Sequence, residues 1–107
     1  MTDYCEVADV KPVLQIAADD ETCDDELEDC VTSGSALVDG FLKRESLTVP
    51  AVVPQLVVDA TKYFAAWDFR RRRDPVGAEA FWEEANRFLE TYVATEGEVA
   101  FKVVSDQ

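Results

Sequence analysis

Apolar residues return at steps of three and four along three successive stretches of this 107-residue chain, and prolines stand between the stretches. That spacing puts side chains on one stripe of an α-helix, whereas a half-buried strand needs strict alternation. The first stretch holds Leu27, Cys30, Val31, Gly34, Leu37, Val38, Phe41 and Leu42. The second holds Leu56, Val57, Ala60, Tyr63, Phe64 and Trp67, with Asp59, Lys62 and Asp68 off the stripe. Ala78, Phe81, Trp82, Ala85, Phe88, Leu89, Tyr92 and Val93 form the third. Pro50 and Pro54 restart the chain before the second stretch, and Asp74-Pro75 before the third, where Asp74 can cap and proline's missing N–H suits a first turn. So short a connection predicts a tight antiparallel hairpin, with Trp67 and Phe64 near Phe81 and Trp82. A shorter amphipathic helix is predicted from about Glu6 to Gln15 on Val7, Val10, Val13 and Leu14, kinked or delayed by Pro12.

The expected fold is all-α, a small bundle of about four helices over residues 1–96, followed by a C-terminal extended strand or arm over residues 97–107. With 48% hydrophobic residues, a chain of this size can bury a core without metals or disulfides. That core is expected to contain Leu27, Val31, Leu37, Phe41, Leu56, Phe64, Trp67, Phe81, Trp82, Phe88 and Leu89. Thr22 or Asp24 can cap the second helix, and Lys43 and Arg44 suit its carbonyl-rich end. Within it, Ser33-Gly34-Ser35 lowers helix propensity but lets another backbone approach, which predicts a crossing point.

After Gly97 the pattern becomes alternation, with Val99, Phe101 and Val103 on one face and Ala100, Lys102 and Val104 on the other. A lone strand has no partner in this sequence, so it is either a frayed terminus or a strand that adds to an edge on another chain. Three alternating large apolar residues favour docking, with Phe101 as the anchor.

The chain contains no histidine, which removes the commonest general base and metal ligand and every Ser-His or Cys-His nucleophile pair. No Gly-rich phosphate loop or nucleophile motif is present, and Glu83-Glu84 are expected to face water, so an enzyme is not expected and no cofactor is implied. The acidic run from Asp19 to Glu26 lacks the glycine that a calcium loop needs at its turn, so it reads as a solvated loop and helix cap. Cys5, Cys23 and Cys30 are odd in number and form no Cys-x-x-Cys pair, which reads as reduced, intracellular thiols, Cys30 in the core. No apolar run is long enough to span a membrane and the N-terminus lacks signal-peptide character, so a cytoplasmic, non-membrane protein is expected.

Charge narrows the partners further. Ten Lys plus Arg against 23 Asp plus Glu give a formal charge of -13, which argues against extensive phosphate contacts. Such acidity would suit a conduit through which DNA slides without sticking; solubility or adaptation to high salt is the plainer alternative. Against this background Arg70, Arg71, Arg72 and Arg73 form a compact basic cluster. It is either a solvated helix end that offsets the helix dipole, or one side of a head-to-tail ring contact with Asp19, Asp20, Asp24 and Asp25 of a neighbouring copy.

A short helix around Val7-Ala8-Asp9-Val10-Lys11 is followed by an acidic loop, then Asp25-Glu26-Leu27 leading to Ser33-Gly34-Ser35-Ala36-Leu37-Val38-Asp39-Gly40-Phe41-Leu42. A proline-started helix and an Arg-rich hairpin complete the order. From Tyr4 to Val93 this resembles the head–tail connector (adaptor) proteins of tailed phages and prophages, including the Mu-like ones. The resemblance implies a virion protein assembled in the host cytoplasm: a helical bundle forming a ring, typically dodecameric, below the portal. Such a ring extends the DNA channel without binding DNA specifically and offers a platform to a tail-side stopper or tail terminator. Terminal arms in such families grip the portal or a neighbour. The acidic loop, Pro12 and the apolar C-terminal strand depart from the pattern. The competing reading is an acidic binding module, either a DNA-mimicking inhibitor or a small regulator.

Overall fold

The computed structural model describes the backbone of residues 3–105 and the side chains of residues 3–96. The chain forms α1 (Val7–Leu14), α2 (Asp24–Arg44), α3 (Gln55–Arg71) and α4 (Pro75–Ser105), with no strand among the described residues. It is a small all-α bundle.

Local chemistry sets each boundary. At the start of α1 the Asp9 carboxylate accepts the Glu6 N–H at 2.8 Å. Pro12 lies inside the helix without delaying it, and the helix stops where Gln15 turns left-handed (φ 61°) and Ile16 N–H reaches back to the Lys11 carbonyl at 2.9 Å. Neither Thr22 nor Asp24 caps α2, because Thr22 is bonded to Asp20 and Asp24 to Lys11; Cys23 holds the cap position without a side-chain hydrogen bond. Asp24, Asp25 and Glu26 in the first turn offset the exposed N–H dipoles instead. α2 ends where Ser46 turns left-handed and Leu47 N–H donates to the Leu42 carbonyl at 2.8 Å. The Pro54 carbonyl starts α3 by accepting Val57 and Val58 N–H. Asp74 caps α4 as its sequence predicts, accepting Gly77 N–H at 3.1 Å.

α3 is the central helix. Both α2 and α4 pack mainly on it rather than on each other, and α1 lies against α3 and α2. One apolar cluster joins α1 to the facing ends of α2 and α3 through Val10, Leu14, Leu27, Val31, Ala65 and Phe69. A second joins α2, α3 and α4 through Val38, Leu42, Val57, Phe64, Ala85 and Leu89. The crossing predicted at mid-α2 is present: a Cβ on Gly34 would stand 3.0 Å from the Thr61 carbonyl oxygen and 3.1 Å from the Ala65 nitrogen.

Of the expected core, Leu27, Val31, Phe64 and Leu89 are fully buried. Leu37, Phe41, Leu56, Trp67, Phe81 and Phe88 are only half-buried and Trp82 is 37% exposed, because α2 and α4 do not close over α3. Conversely Thr61, Ala65, Ala66, Asp68 and Phe69 are buried: α2 crosses over Thr61 and Ala65, α1 packs with Ala65, Ala66 and Phe69, and Arg71 and Arg72 cover Asp68. The hairpin is antiparallel, with Trp82 against Phe64 and Trp67; Phe81 pairs instead with Tyr63, at 6.2 Å between ring centres.

The extended strand expected from Val99 to Val104 is helical backbone, because α4 continues to Ser105. A helix satisfies its N–H and C=O groups internally, which a lone strand cannot do. The side chains of Val99, Phe101 and Val103 lie outside the described residues, and so does the docking role expected of them.

The two helical glycines of α2 separate these effects. Gly34→Val should cost about 1–3 kcal/mol by forcing α2 off α3. Gly40, where an added Cβ meets nothing within 4 Å, should gain about 0.5–1 kcal/mol as Gly40→Ala. Urea unfolding midpoints of the two variants should move in opposite directions.

Candidate functional site

The antiparallel packing of α2 and α3 sets the acidic start of one beside the arginine-rich end of the other. Asp68, one turn before the end of α3, is 2% exposed and sits three and four residues from Arg71 and Arg72. That spacing brings both guanidinium groups over its carboxylate, which accepts from Arg71 Nε at 2.8 Å and Arg72 Nη2 at 3.0 Å. From α2, Glu26 accepts from Arg72 Nη1 at 3.1 Å and from Arg73 Nη2 at 2.6 Å. Arg73 also donates to the Phe69 carbonyl at 2.9 Å and lies 3.8 Å from the centre of the Phe69 ring. Arg70 lies over Phe81 and Arg71 over Trp67, at 5.9 and 5.0 Å.

Of the arginines expected at a ring contact, Arg71, Arg72 and Arg73 therefore have carboxylate partners inside their own chain, while Arg70 only faces the Phe81 ring. The acidic positions expected opposite them are dispersed. Asp24 meets Lys11 Nζ at 2.9 Å, and that buried lysine also donates to the Ala18 carbonyl at 3.2 Å. Asp20 accepts from the Thr22 hydroxyl and N–H, which lower its pKa; Asp19 and Asp25 are exposed. Glu26, which the sequence reading did not single out, is the residue that meets the arginines. Among the described residues no group of three or more His, Cys, Asp or Glu is placed to hold a metal ion.

The titratable groups follow from these contacts. Arg73, then Arg72, hold the Glu26 carboxyl below its ordinary value, and Glu26 in turn raises Arg73. Burial, reinforced by neighbouring carboxylates, pushes the Cys5 and Cys30 thiols up to about 12, which leaves them protonated and unreactive at neutral pH. Tyr4 is raised to about 12 by burial and by its hydroxyl's bond to Asp39, while its N–H donates to Ser35 Oγ at 3.1 Å.

The second feature is an aromatic groove along α2, one part lying between α2 and α4 over α3 and the adjoining part between α2 and α3. Two adjoining hollows of about 380 and 440 Å³ share Ala36 and Leu37. Phe41, Phe64 and Trp82 line one and Trp67 the other. Trp82 meets Phe64 edge-on at 5.1 Å and Trp67 at 4.6 Å, an arrangement that holds the rings rigidly while one side stays in water. Arg44, over the Phe41 ring at 5.4 Å, borders the first hollow, and Arg71 borders the second. Asp68, bonded to Arg71, also lines the second hollow, so only the Arg44 end of the groove offers a guanidinium group without a carboxylate partner among the described residues. Sequence periodicity assigned these aromatics to the core and missed the groove; the steps from Phe41 to Arg44 and from Trp67 to Arg71, three and four residues, were the legible signal.

No family model, no curated protein and no solved structure matches the chain.

Replacing the buried acceptor tests the arginine knot. Asp68→Ala should cost on the order of 1–3 kcal/mol, moderated because both guanidinium groups can turn to water. The Glu26 contribution depends on pH with a definite sign. Its folded pKa lies below the ordinary 4.5, so its stabilisation is complete above that value and is lost as pH falls through the folded pKa. Glu26→Gln should therefore lower the urea midpoint near neutral pH, and the difference from the parent should shrink as pH falls below 4.5.

Proposed function

We propose that this chain is a structural subunit of a head–tail connector, or adaptor, of a tailed phage or prophage. In this reading copies assemble below the portal as a ring, extend the DNA channel and present a platform to the tail-side stopper or terminator. The observation that carries an assembly role is the groove. A chain with four helices leaves Trp67, Trp82, Leu37 and Phe41 partly in water, and contiguous apolar surface rimmed by charge is the usual mark of a docking site. What makes the assembly a connector is the order of elements from Tyr4 to Val93, an acidic loop, a small-residue crossing, a proline-started helix and an arginine-rich hairpin.

The formal charge of -13 supports a path along which DNA is repelled rather than bound. Because Arg71, Arg72 and Arg73 are already ion-paired within the chain, contacts between copies in this reading rest mainly on apolar surface rather than on the Arg70 to Arg73 cluster pairing with a neighbour's aspartates.

Imaging of particles from the source organism tests the role directly. Labelled copies of this chain should appear as a ring beneath the portal. Absence from particles, together with recovery as a soluble complex on a basic protein, would overturn the connector and support the acidic binding module.

A further inference from the structure

Gly40 is a glycine that the fold does not require. It lies inside α2, its φ is not positive, and a Cβ built on it would meet nothing within 4 Å. Glycine in a helix interior is less stable than alanine, so its presence here calls for another cause. Gly34, in the same helix, shows what such a cause looks like, because its missing side chain admits the backbone of α3. At Gly40 the bare backbone instead forms part of the wall of the 380 Å³ hollow between α2 and α4, where nothing from the described residues fills the place of the Cβ. A flat group entering that hollow can lie closer to the helix than any side chain would permit.

The remaining wall specifies the chemistry. Phe64 is the buried floor, Phe41 and Trp82 stand partly in water on α2 and α4, and Leu37 completes the apolar surface. Asn86 donates to the Trp82 carbonyl at 2.9 Å, which orders the α4 side. Although the chain has 23 Asp plus Glu, no carboxylate lines this hollow. The adjoining hollow contains Asp68, and a third, between the N-terminal segment and α2, is lined by Asp3, Glu6, Glu28 and Asp29. Arg44 borders the hollow over the Phe41 ring, without an ion-pair partner among the described residues. A space of this volume, walled by aromatic rings and bordered by one unpaired guanidinium group, matches a small planar ligand with a single anionic group.

We propose that the hollow formed by Gly40, Phe41, Phe64, Trp82 and Arg44 binds a small aryl carboxylate. The ring lies against the bare backbone at Gly40, between Phe41 and Trp82, and the carboxylate accepts hydrogen bonds from the Arg44 guanidinium group. The formal charge of -13 opposes the approach of any anion, but at about 0.15 M salt charges beyond about 8 Å are largely screened, and Arg44 is the cation at the site. The inference concerns the isolated chain and rests on neither the ring nor the portal.

Sodium 2-naphthoate is the probe and 2-naphthamide its neutral counterpart, each titrated into the full-length ¹⁵N-labelled chain at about 0.15 M salt. Naphthoate should shift the Trp82 indole N–H signal saturably, with a Kd on the order of 0.1–1 mM, and the amide should bind about threefold more weakly. Arg44→Gln should remove that preference. Gly40→Leu puts a side chain into the hollow itself, so binding should fall at least about tenfold. Its helical circular dichroism and urea midpoint should not fall, because nothing in the fold opposes the new Cβ. No saturable shift up to about 5 mM naphthoate, undiminished binding to Gly40→Leu, or equal binding of the amide would overturn the proposal. So would sedimentation in which Gly40→Leu abolishes a self-association that naphthoate leaves untouched, since the hollow would then belong to a second copy. Each of these results leaves the connector role to be decided by the particles.

Discussion

The close approach of α2 to α3 at Gly34 governs the rest of the molecule. With no side chain between the two backbones, α2 sits low on α3 and its long axis is fixed against Thr61 and Ala65. That contact brings the first turn of α2 level with the last turn of α3, so Glu26 falls within reach of Arg72 and Arg73. It also puts Cys30 and Leu27 against the α3 face that α1 then covers. Leu37 and Phe41, one and two turns beyond Gly34, stand beside α3 rather than beneath α4 and stay half in water. The same geometry thus produces the arginine knot and the groove.

Electrostatics follows from that placement. The chain has ten Lys plus Arg, and four of them stand in a row where the carbonyl end of α3 is exposed. Cations there are favoured by the helix dipole, and Asp68 and Glu26 accept hydrogen bonds from Arg71, Arg72 and Arg73 in addition. Asp68 tolerates burial only because two guanidinium groups arrive from its own helix at the required spacing. With these cations occupied, and Lys11 enclosed against Asp24, little positive charge remains to balance the other carboxylates at the surface. Arg44 and the exposed flank of Arg71 consequently mark the groove as a locally distinct patch.

Much of this architecture was legible in residue spacing. Steps of three and four located α2, α3 and the first part of α4, Asp74-Pro75 located the hairpin, and Ser33-Gly34-Ser35 located the crossing. Periodicity could not say how far around each helix its neighbours would reach. Trp67, Trp82, Leu37 and Phe41 lie on the same stripes as buried residues, yet α2 and α4 are held apart by their shared attachment to α3. The opposite error, Asp68 read as off the stripe, has the same cause, because coverage of α3 spans more than one stripe. Alternation after Gly97 suggested a strand, but a strand's stability resides in its partner, which no pattern within one chain supplies. The candidate site was legible as a list of aromatics and arginines, not as a groove.

Charge and groove together constrain how copies of this chain can meet. Two molecules each carrying a formal charge of -13 repel at every approach except where cations front the contact. An interface between copies would therefore be favoured where it is apolar at its centre and fronted by a cation without an ion-pair partner, and the groove bordered by Arg44 is such a place. Added salt acts on the two terms differently. It screens repulsion between distant acidic surfaces over about 10 Å at 0.1 M, while burial of aromatic surface does not depend on charge. Association through this groove should thus strengthen from low to moderate ionic strength, the reverse of what a contact between Arg70–Arg73 and a neighbour's aspartates would show. The sign of that salt dependence distinguishes the two modes of assembly.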